Sequence, residues 1–144
     1  MKSKFERKKI RQAGFTLVEV MVTMVIIGLL ATVVVLNVLP AQDKATVQKV
    51  KTDISVLSQA LELYKLDMNT YPENLEGLTT PPDGGNDDRY QKGGYIKFLP
   101  RDPWNKDYLY RFPGENGPYD IWSLGADGQE GGEGVNADIT NWNR

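Results

Sequence analysis

Acidic side chains alternate with glycines near the end of the chain, between Leu124 and Thr140. The acids are Asp127, Glu130, Glu133 and Asp138, and the glycines are Gly125, Gly128, Gly131, Gly132 and Gly134. Calcium takes about six to eight oxygen ligands, and glycines let a short backbone wrap so that several carbonyl groups point inward. The composition therefore suits a calcium-binding loop, although the spacing is not that of an EF-hand. A solvated surface loop would account for the same residues.

Two residue types that carry much of protein chemistry are missing. The chain of 144 residues has no histidine and no cysteine. Histidine is the usual acid or base near neutral pH and a common transition-metal ligand, while cysteine supplies disulfides, thiolate metal sites and thiol nucleophiles. A Ser-His-Asp triad is therefore impossible, and we expect a protein that is not an enzyme.

One enzymatic alternative stays open, a membrane-anchored carbohydrate-active domain. Paired carboxylates can hydrolyse glycosides, and Trp104, Trp122 and Trp142 could form a platform for a sugar. A sugar- or peptide-binding module on the same anchor is a related alternative. A domain of this size leaves little room for a cleft, however, and core or hairpin positions explain the tryptophans better.

A single carboxylate, Glu19, interrupts an apolar segment that runs from Leu17 to Leu36. A helix rises about 1.5 Å per residue, so twenty residues cross the roughly 30 Å hydrocarbon core of a bilayer. A carboxylate in that environment is costly and is usually paired with another group. We therefore expect Glu19 to have a charged partner; the alternative is a carboxylate wetted at the membrane edge.

The charge is distributed unevenly along the chain. Residues 1–14 carry a net charge of +5, so the remainder carries −7 within the overall charge of −2. A basic segment before an apolar helix stays on the cytoplasmic side of the membrane. The acidic remainder would repel phosphate, so we expect no nucleic-acid partner. An ordinary secretory signal fits poorly because the apolar run is too long; an uncleaved signal anchor is the other simple interpretation.

The pattern after the apolar segment predicts that the helix continues into a small domain. Apolar residues recur at alternating spacings of three and four, which is the period of one helical face. They are Val47, Val50, Ile54, Leu57, Leu61, Tyr64 and Met68. We predict one helix from Phe15 to about Asp67, kinked at Pro40 because proline removes a backbone donor. The stripe would face the core of the domain; a coiled-coil seam is the alternative.

The rest of the chain predicts a small antiparallel sheet beside that helix. Residues 69–80 should form a turn and a short helix that Pro72 can start, and residues 81–94 a surface loop. Strands are expected at residues 107–112 and 119–124, joined by the loop 113–118, with residues 95–99 a short strand or an approach to one. The predicted fold class is α+β, a long N-terminal helix packed on a small antiparallel sheet, with a C-terminal calcium-binding loop.

The junction Ala13-Gly14-Phe15-Thr16-Leu17-Val18-Glu19 resembles the processing site of type IV pilins and type II secretion pseudopilins. The later segments Leu99-Pro100-x-Asp-Pro-Trp and Asp-Ile-Trp-Ser-Leu-Gly-Ala-Asp-Gly are more similar to major pseudopilins of type II secretion. The resemblance implies cleavage after Gly14, N-methylation of the new N-terminal Phe15, and a requirement for Glu19 in assembly. A minor pseudopilin or a type IV pilin is the alternative, although pilins usually carry a C-terminal disulfide that this chain cannot form.

The same resemblance implies a calcium site and a division of the chain. The implied ligands are the Leu124 carbonyl, the side chains of Asp127 and Asp138, a carbonyl near Val135 or Asn136, and Thr140. The implied segments are a leader (1–14), a transmembrane and filament-core helix (15–39) and a periplasmic domain (40–144).

A family member of this kind would be anchored in the inner membrane by a single span, with its leader in the cytoplasm and its domain in the periplasm. It would polymerise with copies of itself into a periplasmic filament that drives protein secretion. Its other partners would be minor pseudopilins, a prepilin peptidase and the inner-membrane assembly platform.

Overall fold

The architecture is known from a computed structural model that describes residues 14–82 and 87–143, with only the backbone described at residues 35–40. The helix α1 spans Leu17–Met68. It is followed by a 3₁₀ helix at Leu75–Leu78 and by the strands β1 (Leu109–Arg111), β2 (Asp120–Ser123) and β3 (Ile139–Thr140). A second 3₁₀ helix, Gly134–Asn136, lies between β2 and β3. The chain divides into two compact units, 1–39 and 40–144.

The three strands form one antiparallel sheet in the order β1-β2-β3. Leu109 is opposite Trp122 in the first pair of strands, and Trp122 is opposite Thr140 in the second. The predicted hairpin of the first two strands is confirmed. The third strand was not predicted, because its two residues lie inside a segment whose glycines and acids are typical of a loop.

The core of the second unit contains the predicted apolar stripe of α1. Val50, Leu57 and Leu61 are fully buried, and they share one cluster with buried residues of the sheet and the loops. The further buried members of this cluster are Ile54, Ala60, Tyr64, Tyr71, Leu75, Leu78, Tyr90, Tyr108, Tyr119, Ile121 and Ile139. The stripe therefore packs within its own domain, as predicted, and is not a coiled-coil seam.

One local prediction was wrong, and for another the structure excludes one of the two alternatives. The short helix begins at Leu75 and not at Pro72, because the Asn74 side chain caps it by accepting a hydrogen bond from the Gly77 N–H at 3.2 Å. Residues 95–99 form no strand. The Tyr95 and Ile96 N–H groups both donate to the Leu78 carbonyl, at 2.7 and 3.3 Å, which leaves them no role in a sheet ladder.

Other predictions are only partly addressed by the described residues. The helix is continuous through Pro40, and the kink expected there stays a prediction. The leader, apart from Gly14, and residues 83–86 of the expected surface loop 81–94 lie outside the described residues.

Candidate functional site

The N-terminal unit contains a helix segment long and apolar enough to cross a membrane. The 18 residues Leu17–Val34 have a mean hydropathy of 2.5, and none is buried within the chain. Thr16 caps the start of this helix, since its hydroxyl oxygen accepts a hydrogen bond from the Glu19 N–H at 3.2 Å. The spacing Thr-x-x-Glu is that of a capping box.

Glu19 lies in the first turns of α1, and its backbone groups are hydrogen-bonded within the described residues whereas its carboxylate is not. Its N–H is satisfied by Thr16, and its carbonyl accepts from the Thr23 hydroxyl at 2.8 Å. Within residues 14–82 and 87–143, its carboxylate has neither a hydrogen bond nor an ion pair.

The loop between β2 and β3 folds back on itself through backbone hydrogen bonds. Ala126 N–H donates to the Val135 carbonyl at 2.9 Å, and Asp138 N–H donates to the Gly131 carbonyl at 3.2 Å. Gly125 has φ +68°, and a Cβ there would come within 2.7 Å of the Asn136 backbone. The glycine at this position is therefore required both by its conformation and by the close approach of the chain.

Asp138 has the most informative environment among the predicted ligands. Its Oδ2 accepts a hydrogen bond from the Gly131 N–H at 2.9 Å. Its Oδ1 is buried without a donor, and it is the only side-chain oxygen or nitrogen in this condition in the part of the chain that the structure describes. A buried carboxylate oxygen is costly unless it meets a donor or a cation. This oxygen fits a metal ligand.

The structure places most of the predicted ligands in two separate cavities. Leu124 and Asp127 line one cavity of about 330 Å³, together with Asp102 and Lys106. Asp138 and Thr140 line another of about 210 Å³. Asn136 lines neither cavity, and its side chain is exposed.

Two of these side chains already have local hydrogen bonds. Asp127 Oδ1 accepts from the Gln129 N–H at 3.1 Å, and Thr140 Oγ1 accepts from the Asn143 N–H at 3.0 Å. Among the described residues, no three acidic side chains gather closely enough to hold a metal by themselves. A calcium ion here would depend on backbone carbonyl groups, which is the kind of ligand set that the resemblance implies.

Sequence reasoning missed a second buried carboxylate next to this loop. Asp102 is only 5% exposed and accepts a hydrogen bond from the Ser123 hydroxyl at 2.9 Å. Nothing in the sequence pattern paired this aspartate with a serine 21 positions later. The only available signal was that an aspartate before a proline often fixes a turn through its own side chain.

The tyrosines have the most perturbed ionisation in the domain. Burial raises the pKa of every one of the seven, and it raises that of Tyr95 to about 12. Tyr108 and Tyr110 are raised further, Tyr108 also because its hydroxyl bonds the Asp53 carboxylate. These are core groups kept neutral by burial, and their positions do not suggest acid–base chemistry.

Comparisons with known proteins agree with this architecture. Residues 37–142 match the family described as "Type II secretion system (T2SS), protein G", and residues 9–35 match the prokaryotic N-terminal methylation motif. The chain is 54% identical to the type II secretion system core protein G of Vibrio cholerae over 140 residues, which is 95% of this chain and 96% of the relative. It is 48% identical to the core protein G of Pseudomonas aeruginosa over 92% of this chain and 96% of the relative.

A solved structure gives the same result for the fold. The crystal structure of the major pseudopilin from the type 2 secretion system of enterohaemorrhagic Escherichia coli matches with a TM-score of 0.62 and 39% identity. The match covers 75% of this chain and 96% of that one. The fold and the N-terminal segment thus define a structural subunit of the pilin-like class. The chain belongs to the type II secretion system protein G family, the major pseudopilins, and is a membrane-anchored structural component of that system.

Proposed function

We propose that the chain is the main subunit of a periplasmic filament, the pseudopilus, whose growth moves secreted proteins toward the outer membrane. The observation that carries this proposal is the Leu17–Val34 segment, none of which is buried within the chain. Its apolar side chains are about half exposed or more, from Val20 at 47% to Leu17 at 79%. Such a surface is stable only in lipid or against other apolar helices, and copies of the same helix supply both the partner and a repeating geometry.

Processing would precede assembly. A prepilin peptidase would cut after Gly14, and the new N-terminus, Phe15, would be N-methylated. The match of residues 9–35 to the methylation motif supports this step. Residues 14–16 precede the helix and Phe15 is 83% exposed, so the bond lies in accessible, non-helical backbone.

Glu19 would then pair with an amino terminus. Cleavage after Gly14 creates a positive charge at Phe15, close to one helical turn from Glu19. The carboxylate has no partner within the described residues, and an unpaired carboxylate between packed helices is costly. Pairing with the terminus of the same or a neighbouring subunit would set the axial register of the filament.

Calcium would complete the C-terminal loop. The Leu124 carbonyl, the Asp127 and Asp138 carboxylates, a carbonyl at Val135 or Asn136, and Thr140 would hold it. The buried and unpaired Oδ1 of Asp138 supports the assignment. When bound, the ion would supply positive charge to Asp138 Oδ1, which has no donor within the described residues. Because the folded loop alone assembles these oxygens, the ion would stabilise the domain by mass action.

The remaining expectations belong to the same proposal. The subunit would span the inner membrane once, with its leader in the cytoplasm and its domain in the periplasm. It would contact minor pseudopilins and the assembly platform of the inner membrane, and it would have no catalytic activity and no nucleic-acid partner.

Electron microscopy of material sheared from cells that overproduce the chain with its secretion system tests the filament directly. We expect filaments from calcium-grown cells, fewer after treatment with a chelator, and a subunit mass that begins at a methylated Phe15. A cleavage-blocking Gly14→Val variant is the matched control and should give none. A processed subunit that never leaves the monomeric state would refute the proposal.

A further inference from the structure

The buried Asp102 carboxylate fixes the turn that lies beside the start of the C-terminal loop. It accepts hydrogen bonds from the Trp104 N–H at 3.1 Å and the Lys106 N–H at 2.8 Å. The turn is closed by the Asp102 N–H, which donates to the Lys106 carbonyl at 2.9 Å, and by a bridge between Arg101 and Asp107. One carboxylate oxygen therefore organises this turn, and the other is left to face β2.

That second oxygen, Oδ2, accepts the Ser123 hydroxyl proton at 2.9 Å. Ser123 is the last residue of β2 and is 1% exposed. Because the Ser123 hydroxyl proton points toward Asp102, the lone pairs of Ser123 Oγ point in other directions. Ser123 Oγ accepts a hydrogen bond from the Gly125 N–H at 3.3 Å. Asp102 thereby sets the direction in which Ser123 can accept.

The Gly125 N–H and the Leu124 carbonyl belong to the same peptide unit. This unit is planar and trans, so the two groups point in opposite directions, and fixing one fixes the other. A hydrogen bond to the N–H also polarises the carbonyl and makes its oxygen a better acceptor. The hydrogen bond to Ser123 therefore controls both the orientation of the Leu124 carbonyl group and the strength of its oxygen as an acceptor.

Lys106 occupies the two carbonyl groups that follow. Its ammonium group donates to Gly125 O at 3.5 Å and to Ala126 O at 3.2 Å. A Cβ at Gly128 would collide with the same ammonium group, so the lysine packs closely on the loop. The turn that Asp102 organises therefore binds the Gly125 and Ala126 carbonyl groups through Lys106. It also orients the preceding carbonyl group, that of Leu124, through Ser123.

We infer that Asp102, acting through Ser123, is a positioning residue that orients the Leu124 carbonyl toward a calcium ion in the C-terminal loop. The inference rests on the calcium site proposed above and adds residues that are not ligands themselves. Groups that orient metal ligands typically change affinity by about 10- to 100-fold when they are substituted. Asp102 should therefore affect calcium affinity much more than it affects the calcium-free fold.

Asp102→Asn separates these two effects. The amide keeps an oxygen for the Trp104 and Lys106 N–H groups, so the turn survives. It places a donor where Oδ2 accepted the Ser123 proton, so the hydroxyl proton must rotate to another direction and no longer fixes the lone pair that accepts the Gly125 N–H. Titration calorimetry with calcium chloride on the full chain in detergent micelles should show a Kd raised by about tenfold. The thermal midpoint in EGTA should change little.

Asp120→Asn is the matched control. Asp120 is also buried, at 2%, and lies on β2, the strand of Ser123, but its partners are the Glu115 and Asn116 amides of the hairpin loop. Asp120→Asn should lower the thermal midpoint in EGTA and should raise the calcium Kd less than Asp102→Asn does, because its amide partners lie outside the metal loop even though its carboxylate lines the cavity of Asp138 and Thr140.

Ser123→Ala keeps the test decisive if Asp102→Asn does not fold. It removes the relay itself and should also weaken calcium binding, by several-fold. Wild-type affinity in the folded variants would overturn the inference while leaving the calcium site in place. A wild-type chain that binds no calcium would overturn the site and the inference with it.

Discussion

The phenolic oxygen of Tyr108 donates a hydrogen bond to Oδ2 of Asp53 at 2.7 Å, joining residues 55 positions apart. Asp53 lies on α1 and also pairs with Lys49, whose ammonium group donates to the Arg101 carbonyl at 3.3 Å. Burial and this hydrogen bond both raise the pKa of Tyr108. The segment before β1 is thus tied to α1 by a short polar network at the edge of the core.

We expect Tyr108→Phe to destabilise the domain by about 1.5 kcal/mol, because a hydrogen bond to a charged, half-buried acceptor is lost. Tyr95→Phe is the control. Its hydroxyl donates to Asp67 at 3.0 Å in an exposed position, so its loss should cost less, about 0.5 kcal/mol. Urea unfolding followed by tryptophan fluorescence measures both. Equal decreases in the unfolding free energy of the two variants would mean that the hydrogen bond to Asp53 stabilises the domain no more than an exposed one.

Stability should fall steeply in alkali. Every tyrosine has a pKa raised above the unfolded value of about 10, so the native state keeps protons that the unfolded chain releases. This contribution is complete below pH about 10 and is lost as the pH rises through the native values, which for Tyr95 is about 12. The thermal midpoint measured between these pH values should decrease, less steeply in Tyr95→Phe; a flat profile would contradict the assignment.

Packing at the centre of the α1 stripe should be sensitive to truncation. Leu57 is fully buried, and Leu57→Ala should cost about 2–5 kcal/mol through lost burial and the cavity left behind. Leu66→Ala removes the same atoms from the same helix at a side chain that is 76% exposed, and should change the unfolding free energy by no more than about 0.5 kcal/mol. Denaturant unfolding of the two variants tests whether the stripe serves the domain core.

Asp138→Ala should lower the thermal midpoint in calcium and change it little in a chelator. The physical reason is that a ligand at about 100 times its Kd contributes about 2.7 kcal/mol of stability, which the variant cannot gain. Glu133→Ala is the control, because this exposed acid in the same loop makes no capping hydrogen bond with its side chain. An equal loss with and without calcium would exclude a metal role for Asp138.

Glu19→Ala should leave the monomer inserted and folded but abolish filaments. The substitution removes the charge partner of the processed N-terminus without disturbing the helix, whose cap is the Thr16 side chain. Membrane fractionation measures insertion, and electron microscopy measures filaments. Thr23→Ala is the control, since the Thr23 hydroxyl already bonds its own helix. Normal filaments from Glu19→Ala would contradict the pairing mechanism.

The parts of the fold that follow from periodicity were predictable from the sequence. The stripe from Val50 to Tyr64 repeats a helical period over several turns, which predicts a helix with one buried face. The hairpin of β1 and β2 was also predictable, because two runs rich in aromatic residues flank a loop rich in glycine and proline. The helical stripe and the hairpin are each indicated by many residues, so their prediction does not depend on any single contact.

The features that sequence reasoning missed depend on single contacts between distant residues. Residues 95–99 resemble a strand in composition, but the Leu78 carbonyl takes two of their N–H groups. The strand β3 exists because Asn141, just beyond it, accepts from the Ile121 N–H at 2.9 Å and donates to the Tyr119 carbonyl. At the candidate site, Asp138 was predicted from the resemblance, whereas the hydrogen bond between Asp102 and Ser123 is seen only in the folded structure.

The position of Thr16 has a practical consequence for studying maturation. The residue that caps α1 lies on the retained side of the proposed scissile bond, two positions beyond Gly14. Precursor and trimmed subunit would thus share the same helix cap, so the start of α1 would not report cleavage. Maturation is better followed by intact mass or by the reactivity of the newly formed amine.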